Sequence, residues 1–142
     1  MAQLFSLGCM SNPQQFLESF FREKLAIYAD ANVRLVPVFA RYFGEPLSER
    51  ARDFLLLDRM REVIDDVAES AGSALVITSI QSERLVGTSI RARYHLAATG
   101  ENWKITRVDR ECIHCRGTGQ SGQVPCQHCG GEGWYDGRKN AA

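Results

Sequence analysis

The sequence has no net charge: 17 basic side chains stand against 17 acidic ones in 142 residues. That removes the simplest electrostatic case for a nucleic-acid or anionic-membrane binder, although a local basic patch is compatible with it. Nor is there an apolar run near the roughly 20 residues that a membrane-spanning helix needs. The opening stretch, MAQLFSLGCM, lacks the positive n-region and cleavage site of a secretory signal, so a soluble, cytoplasmic protein is expected. No phosphate-cradling glycine loop is present, and no Ser/His/Asp or Cys/His arrangement stands out. What remains is a chain with 44% hydrophobic residues, long enough to bury a core without disulfides. Its length fits one ordinary domain, with or without a small appendage.

The composition shifts along the chain. Four of the five cysteines lie between Cys112 and Cys129, and seven of the twelve glycines between Gly117 and Gly137. Apolar residues are scarce there, so burial cannot offset the ordering entropy of this tail, which needs a staple. The boundary falls near Asp109-Arg110 and divides the sequence into a domain over 1–109 and a cysteine- and glycine-rich module with a short tail over 110–142.

Within residues 1–109 helices come first and strands last. Asn12 can cap a helix whose first position suits Pro13, with Gln15 reaching back. Phe16, Leu17, Phe20, Phe21, Lys24, Leu25 and Tyr28 then recur at helical spacing as one buried stripe. A second helical stretch, Val33 to Phe43, is interrupted by Pro37 and stopped by Gly44. The pattern of Leu47, Ala51, Phe54, Leu55, Ile64, Val67 and Ala68 predicts a third helix opened by Pro46 and ended by Gly72. Three strands are predicted next: Leu75–Gln81, Leu85–Ala97 and Trp103–Asp109, the last two joined by a turn over 99–102. In the middle one Ile90, Ala92, Tyr94 and Leu96 take one face, and Arg91, Arg93 and His95 the other. Short connections make this an antiparallel meander. With helices packed on one face, it gives an α+β sandwich or cone.

The chemistry sits in the tail. Cys112 and Cys115 form one CxxC pair, Cys126 and Cys129 another, and ten residues separate the pairs. Each pair presents two thiolates to one ion, and two pairs complete a tetrahedron, so one Zn²⁺ per chain is expected. Gly117 and Gly131 each follow the second cysteine of a pair by two positions, where a tight knuckle wants positive φ and amides aimed at sulfur. Gly119 and Gly133 complete the knuckles. Four thiolates around Zn²⁺ leave a net negative charge, which those amides, Arg110, Arg116, Arg138 and Lys139 are placed to offset. A redox dithiol is the alternative use of the same cysteines. His114 and His128 lie inside the CxxC pairs and are expected to point away from a site already closed by four sulfurs. Cys9 is the odd thiol.

Cys112-Ile-His-Cys115-Arg-Gly117-Thr-Gly119 and Cys126-Gln-His-Cys129-Gly-Gly131-Glu-Gly133 both match CxxCxGxG, so the tail resembles the DnaJ-type cysteine-rich zinc domain, with two repeats where that domain has four. The likeness covers about residues 111–134. No His-Pro-Asp tripeptide accompanies it, so activation of a heat-shock ATPase is not implied; a zinc-stapled β-hairpin used for protein contact is. The front domain, ending in Trp103-Lys104-Ile105-Thr106-Arg107-Val108-Asp109, resembles the nuclear-transport-factor-2-like (cystatin-like) α+β fold, in which helices pack on a curved antiparallel sheet.

A catalytic version of such a fold needs an acid/base pair facing a pocket. The candidates are Tyr28, Asp30, Tyr94, His95 and Asp109. Tyr94 and His95 are adjacent in a strand and point to opposite faces, and Arg91, Arg93 and His95 share a face suited to solvent or to an interface. Tyr28, Arg91, Arg93, Tyr94 and His95 are therefore expected to line a cavity or interface rather than to catalyse. The expectation is a non-catalytic, zinc-binding protein-interaction or chaperone-like module. A protein partner or client is anticipated, a homodimer seam through the sheet face is open to test, and nucleic acid and membrane are not expected. The alternative is a small-molecule binder or enzyme that uses the interior of the front domain. Trp134 and Tyr135 would pack the zinc module against that domain or stand exposed as a binding anchor.

Overall fold

A computed structural model describes residues 12–29, 41–44, 62–81, 89–100 and 102–136; the side chains of 26–29, 81 and 136 lie outside that description. Helix α1 spans Pro13–Ala29, and seven strands follow: β1 Glu62–Ser70, β2 Ser73–Gln81, β3 Ser89–Thr99, β4 Asn102–Glu111, β5 Gln120–Ser121, β6 Val124–Pro125 and β7 Trp134–Asp136. Strands β1-β2-β3-β4-β7 form one antiparallel sheet in that order, and β5-β6 form a separate two-stranded ribbon. The fold is α+β, with an antiparallel sheet and, among the described residues, one long helix.

Helix α1 begins as its sequence dictates. The Gln15 amide donates to Asn12 Oδ1 at 2.7 Å, which satisfies one of the amides that a helix start leaves orphaned. Phe16, Leu17, Phe20, Phe21 and Lys24 are buried against the sheet, while Leu25, expected in the same stripe, is 41% exposed. Burying Lys24 turns the stripe one position away from Leu25. The sheet offers Val76, Thr78 and Ile80 from β2, Ala92, Tyr94 and Leu96 from β3, and Trp103, Ile105 and Val108 from β4. Tyr42 and Phe43 close one end, with ring centroids 5.2 and 5.5 Å from Phe20. Phe43 and Gly44 also cover the outer edge of β4 at Ile105, where the Gly44 amide donates to the Ile105 carbonyl at 3.0 Å.

One predicted element is corrected. The helix expected to run from Pro46 to Gly72 does not extend over Glu62–Ser70, which is strand β1; the rest of that helix, and most of the one predicted over 33–43, lies outside the described residues. A β-bulge between Ile64 and Asp66 explains the misreading. It inserts one residue, so Ile64 and Val67 both turn to the core at a spacing of three, imitating the helical period. Gly72, at φ 76°, forms the hairpin tip rather than a helix stop.

A second bulge lies in β4. His95 pairs with Arg107 and Leu96 with Ile105, so Thr106 is the extra residue. Trp103, Ile105 and Val108 therefore share the core face, and Arg107, Asp109 and Glu111 are turned to the opposite one. Strand β4 passes without interruption through Asp109-Arg110, where the composition changes, and its last residues pair with β7.

Candidate metal centre

Each half of the cluster is a tight turn that hangs from a strand. Strand β4 ends at Glu111 and delivers Cys112; the chain turns through Cys115, forms the β5-β6 ribbon, turns again through Cys126–Cys129 and enters β7. The two turns are related by an offset of fourteen residues. Cys112 Sγ lies 4.0 Å from Cys126 Sγ, and Cys115 Sγ 3.7 Å from Cys129 Sγ. The His114 and His128 rings stack at 3.5 Å with an interplanar angle of 14°. The Cys112 amide donates to the Gly133 carbonyl at 2.9 Å, and the Cys126 amide to the Gly119 carbonyl at 2.9 Å.

The four cysteines are buried, and all four sulfurs lie within 4.8 Å of one another, a group that could hold a metal ion. A tetrahedron with metal–sulfur bonds of about 2.3 Å has sulfur–sulfur edges of about 3.8 Å, close to the two distances above. The donor set is therefore matched to one divalent ion that favours thiolate. His114 and His128 are exposed and face each other outside the sulfur cluster.

The glycines supply what the sulfurs need. The Gly119 amide donates to Cys115 Sγ at 3.3 Å and the Gly133 amide to Cys129 Sγ at 3.1 Å. Gly117, Gly119, Gly131 and Gly133 have φ of 83°, 78°, 85° and 84°. At Gly119 and Gly133 space is as decisive as φ: a Cβ on Gly119 would lie 2.4 Å from the Gly131 carbonyl oxygen, and one on Gly133 2.5 Å from that of Gly117.

These contacts split the thiols' acidities. Burial pushes Cys115 up, but the Gly119 amide, the neighbouring thiols of Cys129 and Cys112 and the Gly117 amide outweigh it and lower it to about 6. Cys112 is also lowered: burial opposes, and the Cys115 and His114 amides and the Tyr135 hydroxyl prevail. Cys129 is raised, because burial and the thiols of Cys115 and Cys126 outweigh the Gly133 and Gly131 amides. Without an ion the cluster thus holds readily ionised and reluctant thiols side by side, an arrangement that a cation resolves.

Two further residues, Tyr135 beyond the second repeat and Arg116 at a variable position of the first, complete the surroundings. Tyr135, on β7, donates to the His128 carbonyl at 2.8 Å and approaches Cys112 Sγ at 3.8 Å. Burial and the Cys112 sulfur push its hydroxyl up to about 12, so it stays a donor. Arg116 holds a positive φ of 55°, the position that Gly130 occupies in the second turn at 69°. Its guanidinium donates to the Ser89 carbonyl at 2.8 Å and lies 3.7 Å from Glu111, tying the first turn to the sheet. The sequence singles out Arg116 for its charge and Tyr135 for its packing, but motif spacing does not give these contacts, because both are made through the strand pairing.

The cavity or interface candidates separate. Tyr94 faces the core, fully buried. Arg91, Arg93 and His95 lie on the opposite face, where Arg93 and His95 reach Asp109 at 2.8 and 2.9 Å and Arg91 reaches Glu111 at 2.9 Å. Arg107 approaches Asp109 at 2.6 Å. Burial raises the Asp109 carboxyl, but the hydrogen bonds of His95 and Arg107 and the charges of Arg107 and Arg93 outweigh it, so it is held below its ordinary value of 3.8. A His–Asp contact is a geometry that a general base uses, yet this carboxylate is shared with two guanidiniums. Trp134 packs on the same side, its ring centroid 4.1 Å from the Arg93 guanidinium and 5.3 Å from that of Arg91. The Tyr28 side chain, Asp30, Arg138, Lys139 and Cys9 lie outside the described residues.

Among the described residues no helix is long and apolar enough to cross a membrane. The chain matches no family model, no curated protein and no solved structure.

Proposed function

We propose that this chain is a zinc-stapled, non-catalytic protein-interaction module, chaperone-like in handling a client or assembly partner. The observation that carries it is the cluster of four buried sulfurs, arranged for one tetrahedral ion and cradled by glycine amides. Cys112, Cys115, Cys126 and Cys129 would hold one zinc ion, which supplies structural cross-linking and no reaction step. The β5-β6 ribbon between the two CxxC pairs supports a DnaJ-type zinc hairpin, and the helix packed on a meander supports a cystatin-like, nuclear-transport-factor-2-like cone in the front part. The zinc would fix the hairpin, and with it β7, on the edge of β4; the sheet would supply the contact surface. A cytoplasmic setting belongs to the same reading, since reduced thiols are needed for the metal.

The test is native mass spectrometry of the unreduced protein. One zinc per chain, with no other retained mass, is the expected result. No zinc, together with the mass loss of two disulfides, would replace this reading with a redox one.

One observation favours a second reading, a small-molecule binder or enzyme that uses the interior. Lys24 Nζ donates to Glu62 Oε1 at 2.9 Å and Thr78 Oγ1 to Glu62 Oε2 at 2.6 Å, all within the core. Tyr94 Oη, beside them, is buried and faces the Glu62 carboxylate, with no hydrogen bond of good geometry among the described residues. Burial, the charge of Glu62 and the hydroxyl's contact with that carboxylate push its ionisation well above the ordinary 10.0, so it stays a donor that a ligand oxygen would share with Glu62. A retained metabolite in the same spectrum would move the function there.

A further inference from the structure

A carboxylate stands next in the chain to a centre built of thiolates. Glu111 precedes Cys112, its side chain is 2% exposed, and four thiolates around one divalent ion leave a net negative charge. Arg91 and Arg116 hold it there. Glu111 Oε1 accepts the Arg91 amide at 3.1 Å, and Oε2 accepts Arg91 Nε and Nη2 at 3.0 and 2.9 Å. Arg116 Nη2 lies 3.7 Å from Oε1 and donates to the Ser89 carbonyl at 2.8 Å. Glu111 and Arg116 bracket the first CxxC turn, directly before Cys112 and directly after Cys115, so both ends of the turn are tied to the start of β3. Gly117 belongs to the same assembly. A Cβ there would lie 2.8 Å from Arg91 Nη2 and 3.4 Å from Glu111 Oε2, so the guanidinium packs on the backbone whose amide serves Cys115.

The second turn forms without such a charge. Fourteen residues on, Glu111, Arg116 and Gly117 become Pro125, Gly130 and Gly131. Pro125 takes the carboxylate's place beside the turn: a Cβ on Gly131 would lie 3.3 Å from Pro125 Cβ. A CxxCxGxG turn therefore needs no carboxylate at that position in order to form. What Glu111 adds is attachment, since it is shared between Arg91 of the strand and Arg116 of the turn. Arg116 holds its positive φ of 55°, unfavourable for any residue with a side chain, under that attachment.

We propose that Glu111 is a positioning residue of the metal centre: through Arg91 and Arg116 it holds Cys112 and Cys115 in their metal-binding arrangement on the sheet before the second turn joins them. The inference rests on the zinc-stapled reading above and says how that site is held. Charge and position pull in opposite directions here. As a charge, Glu111 opposes the thiolates, so neutralising it would tighten metal binding, the more so because Arg91 and Arg116 would be left unpaired beside an anionic centre. As a positioning group, it must weaken binding when it is lost, because outer residues that orient metal ligands are worth about one to two decades of affinity.

The experiment titrates Zn²⁺ and Co²⁺ into the full-length, reduced protein against a competing chelator. Glu111→Gln should bind either ion about tenfold more weakly. Glu111→Asp keeps the charge but is one methylene too short to serve both arginines, and it should weaken binding as well. At saturating Co²⁺ the visible bands of both variants should differ from those of the unaltered protein, because the sulfurs of the first turn are held differently. A variant that was merely less stable would lose affinity and keep the spectrum. Equal or tighter binding by Glu111→Gln, or unchanged bands in both variants, would overturn the proposal. So would a Glu111→Asp variant that matches the unaltered protein. If the variants do not fold, amide exchange in the unaltered, metal-free protein still decides. Both turns exchange faster without the ion, but residues 112–117 should exchange about tenfold more slowly than residues 126–131, and equal rates would sink the attachment. An unaltered protein that took up neither Zn²⁺ nor Co²⁺ would instead bring down the zinc-stapled reading on which the inference stands.

Discussion

The Cys112 amide donates to the Gly133 carbonyl at 2.9 Å, directly beyond the Glu111–Trp134 pair that ends the β4-β7 ladder. The first metal-ligand candidate is thus also the next rung of the sheet. Whatever orders the sulfurs orders β7, and through Trp134 it reaches Arg93 and Arg91.

Removing the metal, or making Cys112→Ser, should release β7 and the two turns while α1 and β1–β4 keep their fold. Structural zinc supplies about 10–16 kcal/mol in small zinc-finger peptides, more than this tail has from burial. Circular dichroism should retain most of the sheet signal, and amide exchange should accelerate over residues 112–136 only. Collapse of the whole chain would mean that the tail is part of the main core.

The two glycines at the turn crossing should be far less replaceable than a neighbour with the same φ. Gly133→Ala puts a Cβ 2.5 Å from the Gly117 carbonyl oxygen, whereas Gly122→Ala, at φ 67°, meets nothing within 4 Å. Gly122→Ala should cost about 1–2 kcal/mol through φ alone. Gly133→Ala should abolish stoichiometric metal binding, read by a competitive chelator titration.

Tyr135→Phe should lower metal affinity by about tenfold, since an outer donor that orients a ligand is worth one to two decades. Affinity should also fall as pH drops, already above neutrality because the reluctant Cys129 must give up its proton, and more steeply below about 6, where the Cys115 thiol, held at about 6, regains its own. Chelator competition between pH 8 and pH 5 checks both effects (roughly the range over which thiols and metal exchange protons).

Asp109→Asn should destabilise the fold by about 2 kcal/mol, discounted from the cost of breaking a fully buried ion pair because its partners are a third exposed. The folded carboxyl lies below its ordinary value, so its contribution is complete above about pH 4 and is lost as pH falls through the lower, folded value. Urea melts of the native chain should lose stability in that acid window, and the variant should show a flatter limb. A parallel loss in both would remove Asp109 from this role.

Tyr94→Phe distinguishes the two functional readings. If the hydroxyl is an orphan in the core, its removal should leave stability unchanged or raise it by about 1 kcal/mol. A loss of more than about 1 kcal/mol in Tyr94→Phe that Glu62→Gln does not share would show a partner other than Glu62, a bound water or ligand, and would favour the interior site.

Much of this was legible in the residues. Asn12 and Pro13 announced the start of α1, alternation separated Tyr94 from His95, and doubled CxxC spacing brought four cysteines into one cluster. What escaped depends on the two bulges. Asp65 and Thr106 each add a residue to one strand. The first made β1 read as helix; the second turned Asp109 and Glu111 to the face of the β3 cations. Local pattern does not encode a bulge, because it is set by the partner strand's register. The contacts of Arg116 and Tyr135, residues named for charge and packing, escaped for a related reason: each reaches a group that the sheet, not the motif, brings near.

The fourteen-residue offset between the two turns has one more consequence. Each half supplies two sulfurs, one aromatic ring to a stack and one carbonyl to the other half's amide, and neither closes a coordination shell without its counterpart. The halves are complementary and nearly interchangeable, so a lesion in one should be mimicked by its mirror position in the other. A chain carrying a single half would have to borrow the missing one from another molecule, and the ion would then become a bridge between two polypeptides.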